Sequence, residues 1–327
     1  DHAGPIRLNG IRLDPGNAHA QFTTALLLLV ESPAQALPFL SQAKNLDGSL
    51  APRVDALTLA YQLSQQEQHA GFQKVILGRA LGNLGYWALA EWVFARGTVL
   101  TPDYAEAWAF WGEARQQLGQ EGYAELEKAR RLDPRSVVVQ SLTALYFRRQ
   151  GEPEQGLALL KSVALQEPDQ PIWLVELGNI MLEMKDIDAA LAYYQSASLI
   201  NPSDAHYWIL LAEFCALHQV SLREVGLPAA RQALTLAPDH APALDAMGQV
   251  LVGLDDLASA ERFFQQALQK DANLAAANLH LAQVYLQVGQ LPDAQVYLTQ
   301  AYQLAAEASS VRLVAQRLLE RFFGAAP

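Results

Sequence analysis

Apolar and small residues recur along most of the chain on two alternating helical spacings. Within residues 169–202, a first group is spaced i, i+3, i+4, i+7 and a second group i, i+4, i+7, so each group marks one face of a helix. The two groups are Leu174, Leu177, Gly178 and Met181, and then Ala190, Tyr194 and Ala197. Small residues stand where two helices would cross closely. The pattern therefore predicts two packed helices joined by a short turn.

A proline follows each predicted helix pair at a regular distance. Pro134, Pro168 and Pro202 are 34 residues apart, and Pro238 comes two residues later than this period requires. Proline lacks the amide donor and disfavours helical geometry in the residue before it, so it ends the second helix. After Pro202, Asp204 suits the N-cap of the next helix. A period of this length predicts a stacked helical repeat.

The repeat resembles the tetratricopeptide repeat, a helix–turn–helix unit with the pattern W-x2-L-G-x2-Y, A-x3-F, P. Six consecutive copies run from about residue 105 to 306, although the last two carry Ala272 and Ala306 in place of the proline. The resemblance implies an all-α fold, an α–α superhelix that is a right-handed solenoid of helix pairs. About sixteen to eighteen helices are expected.

We expect a single solenoid over the whole chain, 1–327. Its full repeats are predicted at 16–48, 69–102, 103–134, 135–168, 169–202, 203–238, 239–272 and 273–306. A capping helix with a polar outer face is expected at 309–323, with Ser309 or Ser310 as its N-cap, because a solenoid must end in water.

Two segments depart from the regular repeat. The 54 residues from Gly48 to Pro102 are too many for one repeat and too few for two, so an irregular extra helix is expected at 49–68. Residues 1–15 fit only the second half of a repeat, and the chain begins with Asp1 instead of Met. We expect a fragment of a longer solenoid; the alternative is a short native N-terminal arm.

Composition narrows the classes of partner. Apolar residues make up 51% of the chain, enough for a continuous core, and the net charge is −11. An acidic chain is not expected to bind nucleic acid, because phosphate contacts need clustered lysine and arginine. The one local exception is a basic cluster of Lys128, Arg130, Arg131 and Arg135, with Arg148 and Arg149 one repeat further on. Scattered solvated side chains are the favoured interpretation of it, over a patch for an anionic partner.

Residue constellations for catalysis are absent from the sequence. It contains no H-E-x-x-H, paired C-x-x-C or P-loop motif, and no two histidines are spaced i, i+4. We therefore expect no catalysis, cofactor or metal. Cys215, the only cysteine, replaces the core tyrosine of its repeat and is expected to be a buried structural thiol. No apolar run is long enough to span a membrane.

The resemblance also implies a concave groove lined by repeat positions 2, 5, 9 and 12 of the first helices. At these positions the middle repeats are mostly apolar and the flanking ones, with Glu106, Glu113, Asp245 and Gln249, are polar. An apolar centre with a polar border is typical of interfaces. The alternative is that a neighbouring helix or the chain's own end covers the apolar residues. The proposed partner-binding residues are Val138, Leu145, Ile172, Val175, Asn179, Leu182, His206, Ile209 and Glu213.

The leading functional hypothesis is a non-catalytic protein-binding scaffold whose groove takes a peptide or a helix of a partner. The alternatives are a regulatory or targeting module of a larger enzyme or of a secretion or assembly machine, and a self-association module. A clamp for a partner's C-terminal carboxylate is not expected. In the related proteins such a clamp uses lysine at repeat position 5 and asparagine at position 9. Three repeats of this chain instead have Ser141 and Leu145, Val175 and Asn179, and Asp245 and Gln249 at these two positions. The compartment is not identified by the sequence, and a soluble, cytoplasmic location is slightly favoured.

Overall fold

The computed structural model describes residues 16–307 and 309–324, and this part of the chain contains eighteen α-helices and no β-strand. The all-α prediction is confirmed. The predicted half repeat at 1–15 lies outside the described residues. The helices are α1 Ala18–Glu31, α2 Pro33–Leu46, α3 Ala51–Ser64, α4 Ala70–Asn83, α5 Trp87–Leu100, α6 Ala105–Gln117, α7 Tyr123–Leu132, α8 Val137–Arg149, α9 Pro153–Gln166, α10 Pro171–Glu183, α11 Ile187–Ile200, α12 Ala205–His218, α13 Leu227–Leu236, α14 Ala241–Gly253, α15 Leu257–Lys270, α16 Ala275–Gln287, α17 Leu291–Leu304 and α18 Ser310–Phe323.

The helices form two compact units, which divide within α9 between Val163 and Ala164. In the first unit, α1 packs on α2, α4 on α5, and α6 on both α7 and α8. A 3₁₀-helix at Gly48–Leu50 leads into α3, which packs against α2 and α4 and buries Val54 and Leu57. Residues 49–68 thus contain one additional helix between two helix pairs.

The second unit repeats the same pairing more regularly. Here α10 packs on α11, α12 on α13, α14 on α15 and α16 on α17, and the first helices α12, α14 and α16 also pack on one another in sequence. Ala190 and Ala260, at the close crossings of two of these pairs, have no exposed surface. Small side chains let the helices approach, and the larger apolar side chains around them form the core. The bounds of the individual repeats stay predictions.

Polar caps begin several of these helices. The Asp204 carboxylate accepts a hydrogen bond from the His206 amide at 2.9 Å, and Asp256 accepts one from the Ser259 amide at 3.1 Å. Ser309 accepts one from the Arg312 amide at 3.3 Å and begins α18. These bonds satisfy amides that have no partner inside the helix. The N-caps expected at Asp204 and Ser309 are therefore confirmed.

The turns are tied to the helices that follow them. The indole of Trp108 donates to the Pro102 carbonyl at 2.9 Å, and the indole of Trp208 donates to the Pro202 carbonyl at 3.0 Å. The same interaction thus recurs in two repeats at the aromatic position of the pattern. Each tryptophan is half-buried and anchors the start of a first helix to the preceding turn.

The insertion before Pro238 forms a distinct local structure. A π-helix spans Leu222–Gly226, and Gln219 and Ser221 before it adopt left-handed backbone conformations with φ of 54° and 46°. Non-glycine residues adopt this conformation only where surrounding contacts maintain it. Gly226 lets the π-helix pack closely against Cys215, because a β-carbon at position 226 would lie only 2.9 Å from the β-carbon of Cys215.

Helix α18 ends the second unit. Ala315 and Leu319 are buried among residues of α16 and α17, and the polar residues of α18 face outward. Over the described residues, every helix is too short or too polar to be a candidate for crossing a membrane.

Candidate binding cleft

A cleft of about 430 Å³ opens within the second unit beside the first helices α10, α12, α14 and α16. Its polar lining includes Asn179, Glu213, His218, Asp245, Gln249 and His280 from these helices, and Tyr194 from α11. Its apolar lining includes Leu182, Leu210, Phe214, Leu217 and Val311. Residues from four successive first helices therefore contribute to one surface, as the helical period places them on the same face.

An ion pair joins two neighbouring first helices at the floor of the cleft. Nδ1 of His280 lies 2.9 Å from Oδ1 and 3.1 Å from Oδ2 of Asp245, whose side chain is only 4% exposed. Gln249, one turn further along α14, donates to the same carboxylate at 2.9 Å. The paired contacts satisfy a carboxylate that would otherwise be costly to bury.

The pKa of His280 reflects this arrangement. Burial of the imidazole opposes its protonation, but the negative charge and hydrogen bond of Asp245, together with the charge of Glu213, outweigh burial and raise the pKa. The imidazole is therefore held in its protonated form to higher pH than an exposed histidine.

Glu213 is the second carboxylate of the cleft. Its pKa is raised from 4.5 to about 7, first because burial disfavours the charged form and second because the Asp245 carboxylate repels it; His280 partly opposes this shift. No hydrogen bond from a described residue contributes to the pKa of this carboxylate. Of the polar groups of the cleft, Glu213 is therefore the one best able to accept hydrogen bonds from a ligand.

Aromatic contacts position the other end of the cleft. The Tyr194 hydroxyl donates to the Asn179 side-chain oxygen at 2.6 Å, and the Tyr194 ring packs against Phe214 with the ring centroids 4.7 Å apart. The Phe214 ring in turn contacts His218 at 4.8 Å. These contacts restrict the rotamers of Asn179 and Phe214, so this wall is pre-organised.

A second cleft of about 500 Å³ adjoins the first, because Leu217, Gln249 and His280 line both. Its far wall is formed by α18 through Leu318, Arg321 and Phe322. The Leu217 side chain is 77% exposed and the Phe322 side chain 43%. Two large apolar side chains thus face solvent beside a continuous recess.

Only some of the residues predicted to line the groove lie in the cleft. Asn179, Leu182 and Glu213 line the first cleft, whereas Val175 and Ile209 are 6% and 4% exposed and belong to the core. A partner could reach Val175 and Ile209 only by displacing the helices around them, so we leave these two out of the contact surface.

The other predicted residues lie outside the cleft. Ile172 and His206 are exposed near the beginnings of α10 and α12. Val138 and Leu145 are half-buried on α8 in the first unit. His280 was not predicted as a site residue, because it follows the position expected to face the groove. The sequence feature that could have identified it is a histidine in a mostly apolar helix, with an aspartate, Asp245, in the mostly apolar first helix of the preceding repeat.

The first unit has its own buried ion pair. Glu113, which is 6% exposed, accepts two hydrogen bonds from the Arg149 guanidinium at 2.7 and 2.8 Å and a third from Gln117 at 2.8 Å. Expected as a polar border residue of the groove, Glu113 instead connects α6 with α8 inside this unit.

Within residues 16–307 and 309–324, no group of three or more histidine, cysteine, aspartate or glutamate side chains could hold a metal ion. Asp245 and His280 already satisfy each other. What the cleft can do chemically is recognise a ligand by charge, hydrogen bonds and apolar contact.

Comparisons with known proteins agree on the fold. A family model described as the tetratricopeptide repeat matches residues 147–214 and 251–318. No curated protein sequence matches the chain significantly. The three solved structures described next are 12–17% identical to this chain, so their likeness concerns the fold alone.

Three solved structures illustrate the likeness. The yeast Tom70 structure is 15% identical with a TM-score of 0.59, covering 97% of this chain and 66% of that chain. A tetratricopeptide repeat protein from Parabacteroides merdae is 12% identical with a TM-score of 0.59, covering 77% of this chain and 98% of that chain. The Cut9–Hcn1 hetero-tetramer of the APC/C is 17% identical with a TM-score of 0.57, covering 93% and 63%. The chain thus spans about two thirds of the length of the Tom70 and Cut9–Hcn1 chains it matches.

The stacked helix pairs, the recurring small and aromatic positions and the two matched regions lead to the same assignment. Residues 147–214 and 251–318 of this chain match the tetratricopeptide repeat family, and the chain as a whole resembles that family in fold.

Proposed function

We propose that this chain is a non-catalytic scaffold that binds a peptide or a helix of a protein partner in the cleft of its second unit. The observation that carries the proposal is the pair of adjoining recesses of about 430 and 500 Å³ on successive first helices. Recesses of this size hold several side chains, and a mainly apolar lining with a few polar groups is typical of binding sites.

Exposed apolar surface supports the same conclusion. Leu217 and Phe322 project beside the recess with 77% and 43% of their surface exposed. Exposed apolar side chains that cluster around a recess mark interaction sites more often than isolated ones do. The polar groups Glu213, Gln249 and His280 provide orientation within the apolar surroundings.

Protein is the partner class that the charge favours. The net charge of −11 disfavours the phosphate backbone of nucleic acids. The likeness to Tom70 and Cut9–Hcn1 supports the fold and leaves the partner's identity to experiment.

A photo-crosslinking residue placed at Leu217 tests the proposal in cells that produce the protein. The control position is Leu165 on α9, which is 83% exposed and outside both recesses. We expect a crosslinked protein at position 217 that is absent at position 165, and its capture should be lost in Leu217→Asp while Leu165→Asp retains it.

Mass spectrometry of the crosslinked peptide identifies the partner. A second copy of this chain at position 217 would establish self-association in place of a separate partner. Equal crosslinking at positions 217 and 165, or full binding by Leu217→Asp, would place the partner elsewhere.

A further inference from the structure

We propose that the partner segment bound in this cleft is basic and amphipathic, and that it places a lysine or arginine side chain against Glu213. This inference rests on the proposed function, since it specifies the chemistry of the segment that the cleft takes.

The charges around the first cleft favour a cation. The ionisable groups that line it are Tyr194 on α11, Glu213 and His218 on α12, Asp245 on α14 and His280 on α16, while α10 contributes the neutral Asn179. His280 is engaged with both oxygens of Asp245. His280 acts on Glu213 only through its charge, so the Glu213 carboxylate is left without a hydrogen-bonded cation, and a lysine or arginine is the group that would supply one.

Other occupants fit less well. An acidic group in this position would meet Glu213 and Asp245 together, and like charges in a partly desolvated site are strongly unfavourable. A metal ion is disfavoured because no group of three ligating side chains exists among the described residues. An ammonium or guanidinium group donates several hydrogen bonds to a single carboxylate and needs no such set of ligands.

The apolar lining fits the rest of such a side chain. Leu182, Phe214 and Leu217 surround the polar floor. Lysine and arginine have long aliphatic stems that pack on apolar surface while the charged group reaches a polar site. Leu217 and Phe322 are exposed beside the recess and would contact apolar residues on the same face of the partner segment.

Binding of this kind depends on pH in a defined direction. Because the pKa of Glu213 in the free protein is about 7, roughly a tenth of the carboxylate is ionised at pH 6 and roughly nine tenths at pH 8. A lysine or arginine on the partner stays protonated throughout this range. The affinity is therefore expected to rise about tenfold from pH 6 to pH 8, with release of a proton on binding at the lower pH.

Peptide selection on the full chain provides the probe. Random 12-residue peptides displayed on phage are selected at pH 8 on the immobilised protein, with the Leu217→Asp chain as a counter-selection. We expect the retained peptides to carry lysine or arginine flanked by leucine, isoleucine or phenylalanine.

A double-mutant cycle then assigns the contact. Synthetic peptides from the selection are measured with their basic residue intact or replaced by glutamine, on the wild-type chain and on Glu213→Gln. On the wild-type chain the glutamine peptide should bind at least tenfold more weakly, and on Glu213→Gln the two peptides should bind alike, because the interaction is already absent. The pH series on the wild-type chain tests the same contact without any variant.

The outcomes separate the two proposals. Peptides that distinguish wild-type from Leu217→Asp but show neither dependence on a basic residue nor a rise in affinity with pH would overturn this inference alone. Equal peptide binding to the wild-type and Leu217→Asp chains would overturn the proposed function as well.

Discussion

The Phe264 ring lies directly on the α-carbon of Gly248: a β-carbon added to this glycine would be 2.4 Å from Cε1 of the ring. Gly78 has the same relationship with Phe94, again at 2.4 Å, and Gly178 faces the Tyr194 ring at 2.8 Å. The glycine and aromatic positions of the repeat thus form one contact between the two helices of a pair.

Gly248→Ala is expected to destabilise the second unit. The added methyl group overlaps a fully buried ring, and overpacking of this kind costs about 2 kcal/mol, more than alanine gains over glycine in helix propensity. Urea unfolding followed by circular dichroism measures the change.

Two variants serve as controls for this prediction. Gly48→Ala, where an added β-carbon has nothing within 4 Å, should leave stability nearly unchanged. Phe264→Leu introduced together with Gly248→Ala should recover part of the loss, because the two residues are in direct contact. A fully stable Gly248→Ala chain would show that the helices of this pair can separate without cost.

Prediction from sequence succeeded for the contacts that are local to one helix pair. The helical spacing and the glycine, alanine and proline positions indicate each pair because its two helices are adjacent in the chain. Asp204 and Ser309 were predictable as caps because a cap acts within its own first turn.

Contacts between successive repeats were less predictable. Ile209, Asp245 and Leu279 occupy the same repeat position, and all three are at least 95% buried. They are covered because α12 packs on α14 and α14 on α16, and the spacing of those helices is set by every side chain between them. His280 becomes a site residue for the same reason, since only the packing of α14 on α16 brings it to Asp245.

The thiol of Cys215 is expected to be unreactive in the native chain. It is fully buried, and burial raises its pKa to about 11, so that only about one thiol in a thousand is ionised at pH 8. A chromogenic disulfide reagent at pH 8 should detect no thiol without urea and one equivalent in urea, as the sequence has a single cysteine. Rapid reaction under native conditions would show that the π-helix beside Cys215 opens readily.

The Glu113–Arg149 pair is expected to stabilise the first unit. Replacing Arg149 with methionine leaves a carboxylate that is 6% exposed without its bidentate partner, which should cost about 2 kcal/mol. The matched control is Arg131→Met, which breaks an exposed pair with Glu127 in one helix and should cost less than about 0.5 kcal/mol. Both changes are measured by urea unfolding, and equal losses would contradict a special role for the buried pair.

Glu213 is expected to make the second unit less stable as the pH rises. Its folded pKa of about 7 exceeds its ordinary value of 4.5, so the folded chain holds this proton more tightly than the unfolded chain. The stabilisation is complete below pH 4.5 and is lost as the pH rises through 7. Between pH 5 and pH 8 the loss from this residue amounts to roughly 2 to 3 kcal/mol.

Comparison of the wild-type chain with Glu213→Gln isolates this contribution. Glutamine keeps the size of the side chain and has no proton to release, so the variant should gain roughly 2 to 3 kcal/mol relative to the wild-type chain from pH 5 to pH 8 in urea unfolding. The raised pKa of His280 also lowers the stability of both chains as the pH rises above 6.5, the ordinary pKa of histidine. Stability curves that run parallel over this range would mean that Glu213 is solvated in the native chain, and the cleft would then lack the desolvated carboxylate on which recognition of a basic partner depends.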